Sequence, residues 1–327
     1  MKTDSVVSQF VTQHLEGKSI VVTGGGRGIG RAVALAAAAS GAKVVVADYG
    51  GAVDRNQAGS SEAADAVVSE ISDAGGEAVA AAVDVSTMEG GRAAVEAALD
   101  NFGRLDAMAC SAGITVLKYL WDIEEQEWDD VIAVHLKGHF SCAKAAARVM
   151  IPQRSGSLLF FSSGALNGMP NVTAYATAKA GILGFTWSTA NALGRFGIRT
   201  NCMVPSAATR MSDNIYGNAG KLSERFGDAM RSDLAPGTYR DPANVAPFAV
   251  YLMSDLARDI NGQIFRVQGY EVGRLGMLRY APTITNLGAW DVDTLAERVP
   301  AELGPDLQPL PMPWPEPEWT DDVEFVP

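Results

Sequence analysis

Short runs of consecutive apolar residues alternate along this chain with longer segments whose apolar positions recur at the helical period. SIVVTG (19–24) is followed by a helical segment to about Ser40, KVVVAD (43–48) by SEAADAVVSEISDAGG (61–76), and EAVAAAVDV (77–85) by a helix to about Phe102. LDAMACSAG (105–113), SLLFFSS (157–163), IRTNCMVP (198–205) and GQIFRVQG (262–269) continue the rhythm, with helices between them. Strands that are almost continuously apolar must be covered on both faces, and strands alternating with helices pair in parallel. The pattern predicts an α/β fold with a doubly wound, parallel sheet of about seven strands.

Three parts fall outside the rhythm, leaving residues 18–272 as one catalytic-sized domain. They are an N-terminal extension (1–17), an insertion (206–240) and a C-terminal extension (273–327). The insertion follows the carboxyl end of a strand, where open α/β sheets bind ligands, and reads as a substrate lid or else as a surface excursion. The tail contains PLPMPWPEPEW (309–319), stiff and poor in backbone donors, suited to packing on this chain or on a neighbouring subunit.

Composition narrows the function classes. With 327 residues, 47% of them apolar, a large core is available. Acids outnumber bases 38 to 26, and a net charge of -12 repels nucleic acid and anionic membrane surfaces, so neither is an expected partner. MKTDSVVSQF lacks a leader-like apolar stretch and no apolar run approaches the length of a membrane span, which predicts a soluble cytoplasmic protein. Cys110, Cys142 and Cys202 lie in apolar segments at wide spacing and read as buried thiols. With only His14, His135 and His139 besides, no zinc-like cluster is expected.

The candidate chemistry begins at VTGGGRGIGRAVA (22–34), which joins the first strand to the first helix. Gly24, Gly28 and Gly30 remove side chains that would block a tight turn and a pyrophosphate, and the amides around Ile29 open the helix toward its charge. Asp48 ends the second strand, where a carboxylate accepts hydrogen bonds from a ribose diol and repels a 2′-phosphate. NAD is therefore expected over NADP, with Arg27 as the residue that keeps NADP open. Asp84 and Val85 fall near the adenine end of such a cofactor, and Ser111, Ala112 and Gly113 near its middle; Asp84 reads equally as a helix cap and Gly113 as a turn glycine. The sheet is thus Rossmann-like.

A second constellation lies in SSGALNGMPNVTAYATAK (162–179). Tyr175 and Lys179 stand at i and i+4 on one helix face. A tyrosine with its ordinary pKa of about 10 is a poor base, and a nearby ammonium favours its phenolate. Ser162, thirteen residues earlier, can bond a substrate oxygen; Ser163 is the fallback.

TGGGRGIG, Asp48, SAG, Ser162, YATAK and RTNCMVP occur in the order seen in the short-chain dehydrogenase/reductase family, which the chain resembles over about residues 17–272. The resemblance implies oxidation of a small-molecule secondary alcohol. In this scheme Tyr175 is the base, Ser162 the orienting group, Lys179 the ribose-binding cation, and Pro205 part of the nicotinamide pocket. It also implies a homo-oligomer, dimer or tetramer. Three departures stand out. Ser111 replaces an Asn and is expected to weaken a tie between central strands; Ser206 replaces a Gly after Pro205. His135 replaces a fourth catalytic residue, an Asn whose backbone carbonyl holds a relay water; histidine keeps that carbonyl, and is otherwise a buried structural residue. VVVADYGGAVDRNQAGSSEAADAVVSEI (44–71), VHLKGHF (134–140), NCMVPSAATRM (201–211) and GQIFRVQGYEVGRLGMLRY (262–280) are similar to the hydroxyacyl-CoA dehydrogenase part of peroxisomal multifunctional enzymes of type 2. That likeness implies a stand-alone dehydrogenase of 3-hydroxyacyl-CoA. Lys118, Arg210 and Lys221, the bases available to CoA phosphates, are scattered. Two other readings remain at this level: the same chemistry on a free steroid, terpenoid or aryl alcohol, and a weakly catalytic cofactor-binding subunit of a hetero-oligomer.

Overall fold

The computed structural model describes residues 13–51, 59–217, 230–276, 283–286 and 288–306. Eight strands form one sheet in the order β3-β2-β1-β4-β5-β6-β7-β8. They are β1 (Ser19–Thr23), β2 (Lys43–Asp48), β3 (Glu77–Ala82), β4 (Ala107–Cys110), β5 (Gly156–Phe161), β6 (Ile198–Ser206), β7 (Ile264–Gln268) and β8 (Glu271–Arg274). The seven expected strands pair in parallel, in registers such as Val21 with Val45 and Met108 with Leu158. The eighth was not anticipated: it folds back antiparallel on β7 through a two-residue turn at Gly269 and Tyr270. Gly269 has φ +53°, and a side chain there would overlap the Tyr239 ring. Its strand residues are all exposed, so no apolar run announces it.

The interior strands show why each apolar run is continuous. Ile20, Val22, Val44, Val46, Leu159 and Met203 turn to one face, where helices α1 (Gly28–Ala39) and α2 (Glu62–Asp73) pack. A later helix on the same face, α8 (Ala246–Met253), follows five others: α3 (Met88–Phe102), α4 (Glu125–Ile132), α5 (Gly138–Gln153), α6 (Thr173–Leu193) and α7 (Arg210–Gly217). The alternate residues Val21, Val45, Met108, Leu158, Phe160 and Cys202 turn to the other face, against α3, α5 and α6. Strand period two therefore feeds two separate, predominantly apolar cores. Helix α9 (Val292–Arg298) lies in the tail.

The order reverses beside β1: the chain moves outward to β2 and β3, then returns to β4 on the other side. A crevice opens there at the carboxyl ends of the strands. Helices α4 and α5 run into one another through a π-helical turn, Ala133–Lys137. Such turns displace backbone groups from the regular ladder and recur at functional sites. No helix among the described residues is long and apolar enough to cross a membrane, and those residues hold no metal-binding group of His, Cys, Asp or Glu. The Pro-rich stretch 309–319 and the middle of the insertion, 218–229, lie outside the described residues.

Leu159 is wholly buried in the centre of β5. Leu159→Ala is expected to cost about 2–5 kcal/mol, measured by urea unfolding, because neighbouring strands and helices cannot collapse into the vacated space.

Candidate active site

The turn from β1 to α1 is built by close backbone approach. Gly24 has φ +66°, and a Cβ on it would stand 2.7 Å from the Ala112 Cα; a Cβ on Gly30 would stand 2.1 Å from the Gly24 carbonyl oxygen. Only glycine permits that packing. Arg27, at the cap position of α1, makes no side-chain capping bond and instead donates to the Gly51 carbonyl at 3.1 Å. The amides of Ile29 and Gly30 therefore open toward the crevice, a cradle that a dinucleotide pyrophosphate fits.

Asp48 is held from both sides, accepting from the Gly26 amide at 2.8 Å and the Gly50 amide at 2.7 Å. Strand β3 stops at Ala82, so Asp84 and Val85 lie in the turn beyond it; Asp84 accepts the Ser86 amide at 3.0 Å. Thr87, not Asp84, caps α3. The weakened strand tie expected at Ser111 is not found: its hydroxyl donates to the Thr23 carbonyl at 2.6 Å, and the Ala112 amide meets the Thr23 hydroxyl at 3.3 Å. Serine is shorter than asparagine, but β4 lies close enough to β1 for its hydroxyl to span the gap.

Ser162, Tyr175 and Lys179 come together where β5 ends against α6. Their exposures are 3, 7 and 4%. The Lys179 ammonium donates to the Phe161 carbonyl at 2.7 Å and stands 5.4 Å from the centre of the Tyr175 ring. Burial pulls its pKa down to about 7. The Ser162 hydroxyl donates to the Lys179 carbonyl at 2.7 Å, so it must rotate to donate to a bound oxygen. Ser163 turns away to accept the Ala165 amide.

The imidazole of His135 meets the Tyr175 ring edge-on, centroids 4.9 Å apart. Its Nε2 lies 2.7 Å from the Ile114 carbonyl, and a Cβ on Gly113 would collide with its Cε1. Gly113 is thus needed for the ring above it as well as for the turn. The His135 carbonyl, on which a relay water would depend, is already engaged by the Gly138 amide and by Nδ1–H of His139 at 2.5 Å.

A cavity of about 460 Å³ gathers the sixteen residues assigned from the sequence to catalysis or the cofactor, and not the fallback Ser163. Asp48, Arg27 and the glycine turn share it with Asp84, Val85, Ser111–Gly113, His135, Ser162, Tyr175, Lys179 and Pro205. It adds Ile114, together with Tyr49, Val134, Thr209, Arg210 and Met211, which the sequence placed in stretches of resemblance without a role in the cofactor or catalytic site. Thr209 sits over Gly28, where a Cβ would meet its Cγ2 at 3.3 Å. Arg210, scattered in sequence from any other base, opens α7 at the cavity wall; burial and then the nearby Arg27 hold its pKa below the usual range. The base of the insertion is stapled by Arg240, which donates to the Ser206 hydroxyl at 2.9 Å.

A phenol, a hydroxyl and a desolvated ammonium beside a dinucleotide cradle mark an oxidoreductase of CH–OH groups. Residues 24–269 match the family model described as enoyl-(acyl carrier protein) reductase. The 3-oxoacyl-[acyl-carrier-protein] reductase FabG of Staphylococcus aureus is 36% identical over 255 residues, covering 77% of this chain and 97% of that protein. The hydroxyacyl-CoA dehydrogenase ChsB1 of Mycobacterium tuberculosis is 36% identical over 270 residues, 80% of each chain. A short-chain dehydrogenase structure from Mycobacterium avium superposes with a TM-score of 0.77 at 36% identity, covering 90% of this chain and 97% of that one. The chain belongs to the short-chain dehydrogenase/reductase family, whose members use NAD(P)(H).

Both buried histidines are held uncharged. Burial, and then the Lys179 charge, lower the pKa of His135 well below its ordinary 6.5 and that of His139 to about 3. Unfolding frees them to take up protons, so their contribution to stability is complete above pH 6.5 and is lost as the pH falls toward about 3. Urea midpoints measured across that window should fall with pH, and fall less steeply in His139→Gln.

Proposed function

We propose that this protein oxidises the secondary hydroxyl of a 3-hydroxyacyl-CoA to a ketone, with NAD as acceptor. The reading is carried by the presence of Ser162, Tyr175 and Lys179 in the same cavity as the glycine turn and Asp48. In it, Tyr175 takes the hydroxyl proton. Lys179, close to the phenol and desolvated, supplies the positive charge that favours phenolate and bonds the nicotinamide ribose. Ser162 turns its hydroxyl from the Lys179 carbonyl to the substrate oxygen and holds that oxygen against the phenol. His135 braces the tyrosine ring from its edge. When bound, the nicotinamide supplies the acceptor for the hydride leaving the carbinol carbon. The glycine turn, Ile29 and Thr209 hold the dinucleotide's phosphates, and Asp48 its adenine ribose.

Two observations support NAD. The Asp48 carboxylate is fixed by two backbone amides at the cavity wall, where it suits a ribose diol and repels a 2′-phosphate. Arg27, the competing signal, is tied to the Gly51 carbonyl. The thioester substrate is supported by the names of two relatives, a hydroxyacyl-CoA dehydrogenase and a 3-oxoacyl-carrier-protein reductase, and by the stretches resembling the multifunctional enzyme. Ile114, Val134 and Met211 give the cavity an apolar wall beside Tyr175 that suits an acyl chain, and Met169 and Val172 pack in the same apolar cluster. Of the three bases weighed for CoA phosphates, Lys118 is paired with Glu127 at 2.9 Å, Arg210 lines the cavity, and Lys221 lies outside the described residues.

Tyr175→Phe is expected to lower kcat by about 10²–10⁴-fold, with the affinity for reduced cofactor, read by nicotinamide fluorescence, unchanged. Undiminished turnover would remove Tyr175 from the mechanism. Incubation with NAD or NADP and a panel of 3-hydroxyacyl-CoA thioesters, their free acids and unrelated secondary alcohols tests the substrate. Thioester-selective reduction of NAD is the expected result; activity confined to free alcohols would discard the CoA substrate and keep the chemistry.

A further inference from the structure

His139 lies one helical turn beyond His135 and outside the cavity, yet it joins two of the segments that build the active site. Its Nδ1–H donates to the His135 carbonyl at 2.5 Å, and its Nε2 accepts the Phe161 amide at 3.3 Å. These two bonds place the proton of the neutral ring on Nδ1, and the Cys110 carbonyl is a further backbone group against the ring. The ring is 2% exposed and packs edge-on against Phe160, centroids 5.4 Å apart. Its position matters because of what Phe161 does next: its carbonyl holds the Lys179 ammonium, and the following residue is Ser162. The last pair of the β4–β5 ladder is Cys110 with Phe160. Past that pair β5 keeps β6 as its neighbour, Phe161 pairing with Met203 and the Ser162 amide donating to the Met203 carbonyl at 2.7 Å, while the Phe161 amide meets His139 and its carbonyl meets Lys179.

We propose that His139 is a positioning residue for the oxidation. By tying the Phe161 amide to the carbonyl of the π-helical turn, it acts together with the bond from the Ser162 amide to the Met203 carbonyl to set where the Phe161 carbonyl points. That carbonyl determines where the Lys179 ammonium stands relative to Tyr175, and the same peptide sets the start of Ser162. The bond to His135 also occupies the carbonyl on which a relay water would rest. The inference rests on the proposed alcohol oxidation; the turnover of unaltered protein decides that reading separately, and one readout below needs no substrate.

Each half of the bridge can be kept alone. In His139→Asn the amide nitrogen occupies the place of Nδ1 and keeps the bond to His135. In His139→Gln the amide oxygen reaches the place of Nε2 and keeps the acceptor for Phe161. His139→Leu keeps the bulk and loses both. The expected result is a loss in kcat of about ten- to a hundred-fold in His139→Leu, with KM and the affinity for reduced cofactor within about two-fold, and partial recovery in the Asn and Gln variants. Amide exchange at Phe161, followed by mass spectrometry or NMR, should quicken in His139→Leu and recover in His139→Gln. A core variant of similar thermal stability, Ile182→Val, should leave kcat unaltered. Loss of thermal stability in His139→Leu with kcat preserved would overturn the proposal, as would equal losses in all three His139 variants and in Ile182→Val.

Discussion

The buried ammonium of Lys179 is the constraint around which the rest of the site is arranged. A cation removed from water costs several kcal/mol unless it is bonded, and the structure gives it the Phe161 carbonyl at 2.7 Å. That carbonyl lies just past the last pair of the β4–β5 ladder, Cys110 with Phe160, while β6 still holds the same peptide through the Ser162 amide. The same ending puts Ser162 beside Lys179, and α6 carries Tyr175 one turn earlier on the same face. Strand termination, ammonium burial and the alignment of phenol with hydroxyl are therefore one geometric fact.

A second constraint, backbone close approach, acts at the opposite wall. Gly24 touches the backbone at Ala112, and Gly30 sits over the Gly24 carbonyl, so β1, α1 and the end of β4 meet without side chains between them. Ser111 then sews β4 to β1 through the Thr23 carbonyl. The crevice at the strand switch point is narrow in backbone and faces the amino-terminus of α1, which suits a diphosphate. Asp48, at the end of the neighbouring strand, adds the carboxylate that reads the ribose. Cofactor cradle and reacting groups share one sheet edge, and the distance between them is set by the spacing of parallel strands.

Much of this was legible in the residues. Seven strands announced themselves as apolar runs because both of their faces are covered, and the Gly-rich turn, Asp48, Ser162, Tyr175 and Lys179 carried enough chemistry to be named. The eighth strand did not, since its four residues are exposed and its turn depends on Tyr239, thirty residues away. His139 was counted only as a histidine without zinc partners, although its i, i+4 relation to His135 was the available signal. Thr209 and Arg210 lay in a stretch read as a lid or an excursion, and nothing local tied them to Gly28 or Arg27. The weak tie expected at Ser111 was judged from side-chain length, when the deciding quantity was the separation of two strands.

The sequence by itself determined the α/β sheet, its parallel pairing and the identity of the reacting groups, because hydrophobic periodicity and side-chain chemistry are local properties of the chain. Only the tertiary structure decided the satisfaction of those groups: which carbonyl holds the Lys179 ammonium, which hydroxyl closes the β1–β4 seam, which imidazole fills the His135 carbonyl. Buried polar atoms must find partners wherever the fold brings them, and those partners stand 18, 88 and 4 residues away in the chain.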